Sequence, residues 1–434
     1  MGVFILICLA LACLGAFFFI LLVRLLECRP ILILYSIVLV FVFSSLYSPA
    51  DLPVVSIRGI NFNQMDIIGP IILGLCFPFF FFHLRNGLTR KDTVLVVLLI
   101  WSIILALNYM LGLRAYGLQV ATNEFRGYFY TLCITLYVAS LNIHVVWPQI
   151  ERLFLFGAFC LFLIAAIGFV DGDFSRGGRP IGSAHALLIL QALLIAIFMH
   201  NRRQLSPVLI PFVVGLFPLL VILQHRSIWV VTLCSFVFIC ILAPRLTGRM
   251  MRFGLIGLVA VGGVCAAFFG TTIFEALKDS YDEAALVGTS GKTNTFLWRI
   301  QGWTSLLKGK QLDSVQDLLI GNPFGSGWER TVLTSDGVDQ VRIESPHNFY
   351  VQTFLRGGVI GFFAFLALHF MILRKLFSRA RIDLEYRPVF LCLIIIIASQ
   401  MIYYIPYGSD YVQAIFLGAG IAWLRHSETV RSAI

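Results

Sequence analysis

Long apolar runs, each roughly 17–24 residues and repeated along the whole chain, restrict this sequence more than any other feature. A run of that length crosses the hydrocarbon of a bilayer as a helix. Within hydrocarbon, only helices and closed barrels pair every backbone N–H and C=O. A barrel would show shorter segments of alternating character. The pattern therefore predicts an all-α polytopic membrane protein, one integral membrane domain spanning residues 1–434. Composition agrees: 59% of the residues are hydrophobic and 12% charged, where soluble globular chains carry about 25% charged. Mean hydropathy is +0.92.

Thirteen candidate spans can be marked, at 2–23, 31–47, 67–84, 93–112, 127–143, 152–170, 183–199, 206–223, 227–243, 253–274, 347–373, 388–405 and 410–425. Only Pro406-Tyr407-Gly408-Ser409 separates the last two, so they form either a hairpin or a re-entrant pair, and twelve or fourteen spans stay open. The first run, Gly2 to Val23, has no basic n-region or clear cleavage site and reads as a retained helix.

Lysine and arginine in the short loops set the orientation. One set of loops holds 18 of them, from Arg24 and Arg29 through Arg202 and Arg203 to Arg425 and Arg431. The opposite set holds six: Arg58, Arg114, Arg126, Arg176, Arg179 and Arg226. The basic set is assigned to the cytoplasm, which turns the long loop 276–346 outward. The net charge of +10 lies in these loops and does not point to nucleic acid. All ten cysteines lie in or beside apolar runs and none forms a CxxC pair, which argues against disulfides and a zinc site.

The outward arginines oppose the general bias. Arg126 sits in Asn123-Glu124-Phe125-Arg126, Arg176 and Arg179 precede span seven, and Arg226 lies in a linker so short that it must stand at the membrane boundary. Such arginines either bind lipid headgroups and snorkel to water, or serve a ligand. Inside the long loop, Phe296, Ile300, Trp303 and Leu307 fall on one stripe of an amphipathic helix that carries Trp298 and Arg299. Next comes Leu319-Ile-Gly-Asn-Pro-Phe-Gly-Ser-Gly-Trp328, whose glycines permit either a plain turn or close backbone approach to a ligand.

The marked spans hold essentially no Asp or Glu in their interiors, which argues against ion-coupled transport. Guanidinium groups bind phosphate oxygens bidentately, and two or three could hold a diphosphate and stabilise the charge it gains on leaving. No metal-ligand cluster or cofactor motif is present in the sequence, so arginine would carry the electrostatic work. His347, in Ser345-Pro346-His347-Asn348-Phe349-Tyr350, stands where the long loop meets the next span. A neutral imidazole there could accept a proton from a hydroxyl, and a cationic pocket would keep it neutral. Alternatively it is a capping or interfacial residue.

These stretches resemble the O-antigen ligase and O-antigen polymerase family of bacterial glycan transferases. His347-Asn348-Phe349-Tyr350 followed by Arg356-Gly-Gly-Val-Ile-Gly361 is similar to the family's HN-aromatic and Gly-x-x-Gly segment. Arg299-Ile-Gln-Gly-Trp303 with Asn322-Pro-Phe-Gly-Ser-Gly327 is similar to its "R-x-x-x-W … N-P-x-G-x-G" loop. Arg226-Ser227 resembles the arginine-small pair of an outer helix, and Arg179-Pro-Ile-Gly182 an "R-x-x-G" segment. Together they cover residues 175–365, the family-like core. Arg356 departs from the family, where an acidic residue before the glycine is also common.

The resemblance implies a GT-C-like, metal-independent, inverting transferase in the bacterial inner membrane, without a cofactor and with its active site at the periplasmic face. Its donor would be an undecaprenyl-diphosphate-linked glycan, and its acceptor a lipid A core sugar or another lipid-linked saccharide. Arg226 and Arg299 would grip the diphosphate and His347 would activate the acceptor hydroxyl. Arg126, Arg176, Arg179, Trp303 and Asn348 would contact substrate. The competing class is a lipid-linked oligosaccharide flippase that forms no bond.

Overall fold

Hydropathy decides the architecture: each candidate span lying within the described residues is helical. The computed structural model describes residues 29, 31–46, 55–57, 60–62, 65–66, 68–74, 92–171, 180–223, 225–244, 246, 295–308, 314–333, 339–343 and 345–431. The spans marked at 2–23 and 253–274 lie outside them, as does most of 67–84. In chain order the helices are α1 (Ile31–Phe43), α2 (Thr93–Tyr116), α3 (Leu118–Ser140), α4 (Ile143–Asp171), α5 (Ser183–Asn201), α6 (Ile210–Ile222) and α7 (Arg226–Leu242). After the long loop begins come α8 (Thr295–Lys308), α9 (Val315–Ile320), α10 (Phe349–Ile382), α11 (Arg387–Tyr403) and α12 (Ala414–Arg431).

Four stretches, Thr93–Tyr116, Ile143–Phe169, Ser183–Asn201 and Phe349–Ile382, are long and apolar enough to cross a membrane. Shorter apolar helices cover Ile31–Leu46, Pro207–Ile222, Arg226–Leu242, Arg387–Tyr403 and Tyr411–Arg425. Helix α5 is buried continuously from His185 to Ala196, as expected of a helix apolar on every side and placed at the centre of a bundle. Around it, α4 packs on α1 and α5, α11 on α7, α10 on α2 and α11, and α12 on α3. Helices α2 and α4 leave Ile103, Leu107, Met110, Phe159, Leu163 and Ile167 exposed, an apolar exterior suited to lipid.

Two antiparallel hairpins add to this helical frame. β1 (Val55–Ile57) pairs with β2 (Ile60–Phe62), with Ile57 opposite Ile60. β3 (Glu329–Leu333) pairs with β4 (Asp339–Ile343), with Glu329 opposite Ile343. Thr331, Val332, Val341 and Ile343 are β-branched and suit strands. The long loop therefore contains a hairpin besides the expected amphipathic helix, and α8 lies against β3.

Helix α10 breaks at Gly358, whose φ of 59° and ψ of −167° are not helical. A break inside an apolar bundle exposes carbonyls that need new partners. Here the Leu355 carbonyl accepts the Asn322 amide at 2.7 Å. The Arg356 carbonyl accepts Asn108 Nδ2 of α2 at 2.9 Å. The wedge that enters the break is the turn after α9. Glycine is required on both sides: a Cβ at Gly358 would lie 2.4 Å from the Leu319 backbone, and one at Gly321 (φ 88°) would lie 2.5 Å from Arg356.

Candidate functional site

The break in α10 places its first turns, and the residues just before them, at one end of the bundle. His347 is exposed and adopts a φ of 48°, the left-handed region that disfavours a residue with a Cβ. Both flanks of the histidine are tied down. Asn348 is buried and caps α10, its Oδ1 accepting the Val351 amide at 3.0 Å. The Phe349 amide donates to the carbonyls of Tyr404 (2.9 Å) and Tyr407 (3.0 Å). Gln352 Nε2 donates to Ser345 Oγ at 2.6 Å. The Phe349 ring is buried against Tyr128, Phe365 and Tyr404.

Helix α8 joins this turn through Trp303, whose indole N–H donates to the Pro346 carbonyl at 2.6 Å. One helical turn earlier, the half-buried Arg299 guanidinium lies 5.4 Å from the centroid of the Tyr407 ring. The Tyr407 carbonyl is one of those that hold the Phe349 amide. Arg299 and His347 are thus bracketed by two contacts, one through Trp303 and one through Tyr407. Among the described residues, the Arg299 guanidinium makes no hydrogen bond or ion pair, so its N–H donors stay available.

Arg226 reaches the same neighbourhood through shared partners. It opens α7 and is half-buried, and the preceding His225 is buried with Nε2 2.9 Å from the Ile181 carbonyl. Two residues on, Ser183 Oγ lies 3.1 Å from the hydroxyl of Tyr403. Tyr403 stacks on Tyr407 with ring centroids 5.0 Å apart and planes at 25°. A continuous path therefore runs from Arg226 through the start of α5 and two tyrosines to Arg299 and His347.

The remaining expected contacts divide. Arg176 and Arg179 lie outside the described residues. Arg126 Nε pairs with Asp66 at 3.2 Å, and its Nη2 donates to Asn123 at 2.8 Å. Tyr130 donates its hydroxyl to the same Asp66. Asn348 Oδ1 is engaged by its cap and the Trp303 N–H by Pro346, so both serve the shape of the His347 turn.

Arg356, the departure from the family pattern, is fully buried. It pairs with Glu124 of α3 at 2.8 Å and donates to Gly327 O at 2.8 Å, to Pro323 O at 3.3 Å and to Ser326 Oγ. Its guanidinium carbon lies 4.1 Å from the centroid of the Trp328 ring. Glu124 also accepts the Gly325 amide at 2.7 Å. The glycine turn is thus clamped onto the chain's own helices. Its close approaches are to Arg356, Gly357, Gly358 and Tyr116.

Helices run further than the apolar stretches that marked them, so two carboxylates fall inside helices after all. Glu124 lies in α3, and the buried Glu151 lies in α4 paired with Arg202. Each carboxylate is matched to an arginine, as burial of charge requires.

Sequence reasoning passed over the connector Tyr404–Asp410 except as a hairpin. Asp410 Oδ1 is shut away from solvent and has no hydrogen-bond partner among the described residues. Burial pushes its carboxyl up to about 7, although the amides of Tyr411 and Val412 pull the other way. The signal for this connector was its content, three tyrosines and an acid beside proline and glycine between two apolar runs. Compared with protein-family models and with curated protein sequences, the chain matches none.

Proposed function

We propose that this chain is a polysaccharide ligase or polymerase of the bacterial inner membrane, with the His347 end facing the periplasm. In this reading it moves a glycan from an undecaprenyl-diphosphate-linked donor to a lipid A core sugar or to another lipid-linked saccharide, within surface or exopolysaccharide biosynthesis. The observation that carries the reading is the pairing of Arg299 with the His347 turn. A guanidinium with uncommitted donors is bracketed to an exposed histidine by Trp303 and Tyr407. Orientation rests on the excess of arginine and lysine in the opposite loops.

The chemistry follows from the groups present. The His347 imidazole accepts the proton of the acceptor hydroxyl as its oxygen attacks the anomeric carbon. A new glycosidic C–O bond forms, and the C–O bond to the diphosphate breaks from the opposite side, inverting the centre. The departing diphosphate takes the bonding pair, and Arg299 and Arg226 stabilise the charge it gains. The proton passes from His347 to water. Surrounding lipid holds the donor's polyprenyl tail against the apolar exterior of the bundle.

The strain at His347 supports a role beyond capping. Asn348 already caps α10, and a left-handed non-glycine residue costs on the order of 1–3 kcal/mol, a penalty that clusters at functional sites. Deleting the gene and analysing the accumulated glycan tests the proposal in cells. Single lipid-linked repeats would mark a lost polymerase, and long polymer on the carrier a lost ligase. An unchanged surface glycan would overturn the proposal.

A further inference from the structure

We propose that Tyr407 is the positioning residue for Arg299, holding its guanidinium with an aromatic ring where other arginines of this chain are held by a carboxylate. This rests on the transferase reading and extends it to a residue that no motif marks. Arg126 is paired with Asp66, Arg202 with Glu151 and Arg356 with Glu124. Arg299 instead faces the Tyr407 ring at 5.4 Å. The difference matters chemically. A carboxylate fixes a guanidinium by accepting its N–H bonds and cancels its charge. A ring attracts the cation through its quadrupole and accepts none of those bonds. Arg299 is thereby fixed while keeping the charge and the forked donors that bidentate phosphate binding needs.

Tyr407 is itself held well enough to serve. Its ring stacks on Tyr403 at 5.0 Å, and Tyr403 is 2% exposed with its hydroxyl 3.1 Å from Ser183 Oγ. The Tyr407 carbonyl accepts the Phe349 amide at 3.0 Å. One residue therefore sets Arg299 relative to the turn that carries His347.

The test uses the full-length protein in nanodiscs and reads the binding of undecaprenyl diphosphate, with glycan transfer measured in parallel. Tyr407→Leu should weaken binding roughly 3- to 30-fold, the range of a lost cation–π contact. Tyr407→Phe and Tyr407→Trp should recover most of that loss. Tyr407→Glu should bind more weakly than Tyr407→Gln, because the new carboxylate occupies Arg299. That last comparison decides the matter if the leucine variant does not fold. Wild-type binding in Tyr407→Leu, or equal binding by the Glu and Gln variants, overturns the proposal. If Arg299→Ala is inactive while Tyr407→Leu transfers normally, the positioning role fails and the transferase reading stands. Tyr407-dependent binding without any transfer does the reverse. No binding by the wild type overturns both.

Discussion

The indole N–H of Trp303 donates to the carbonyl of Pro346 at 2.6 Å, so the residue preceding His347 is fastened to the helix that carries Arg299. A hydrogen bond of this kind contributes about 0.5–1.5 kcal/mol net. Trp303→Phe keeps the ring and removes the donor. It should leave the protein folded and lower transfer by roughly 3- to 10-fold, a loss of about that energy. Steady-state rates of the purified variant check this, and an unchanged rate would show that the link does not matter to the chemistry.

Left-handed backbone at His347 predicts an uncommon split between stability and activity. Glycine accepts a φ of 48° without the Cβ penalty that alanine pays there. His347→Gly should therefore be more stable than His347→Ala by about 1 kcal/mol. Both variants should lose transfer. Thermal unfolding in detergent beside an activity assay checks the pair. A glycine variant less stable than alanine would mean the turn is not strained.

The clamp at Arg356 should be among the most damaging places to substitute. Arg356→Met leaves Glu124 and the acceptors on Pro323, Ser326 and Gly327 without their partner. Breaking one side of a buried pair costs about 3–5 kcal/mol. Arg356→Lys should also destabilise, since an ammonium cannot span the same fork of acceptors. Glu124→Gln combined with Arg356→Met should recover part of the loss. Melting curves for the three variants measure this, and additive losses in the double variant would argue against a pair.

Asp410 gives the fold a pH dependence with a definite sign. Its folded carboxyl titrates at about 7, raised by burial, against 3.8 for an ordinary aspartate. Folded protein thus keeps a proton that the unfolded chain has already released. Stability from this group is full below about pH 4 and falls as pH rises toward about 7. Asp410→Asn stays neutral throughout. Its melting temperature should gain on the wild type between about pH 5 and about pH 8. A constant difference across that range would contradict the assignment.

Hydropathy made the bundle legible, because a run such as Leu187–Ile195 has no folded home except a helix buried among others. Helix ends were harder to read. Asn123 to Arg126 looks like loop in sequence, yet α3 begins at Leu118, and the charges there are satisfied by distant partners. Glu124 and Arg356 meet across 232 residues, a pairing that no local spacing encodes. The glycine turn illustrates the same limit. Its glycines do mark close backbone approach, but the approaching backbone is the chain's own α10. His347 was visible because a polar, proline-led turn interrupts apolar sequence. Tyr407 was not, because an aromatic residue in an aromatic-rich chain carries no mark until Arg299 is placed over it.

The central claim is that Arg299 and His347 act together on a lipid diphosphate donor. Its most direct measurement is the release of undecaprenyl diphosphate by protein reconstituted in liposomes with a lipid-linked glycan and an acceptor. The wild type should release the carrier as product forms. Arg299→Ala and His347→Ala, folded and inserted, should each do so roughly 100-fold more slowly or worse. Release at the wild-type rate by either variant, or donor crossing the bilayer with no carrier released, would contradict the account.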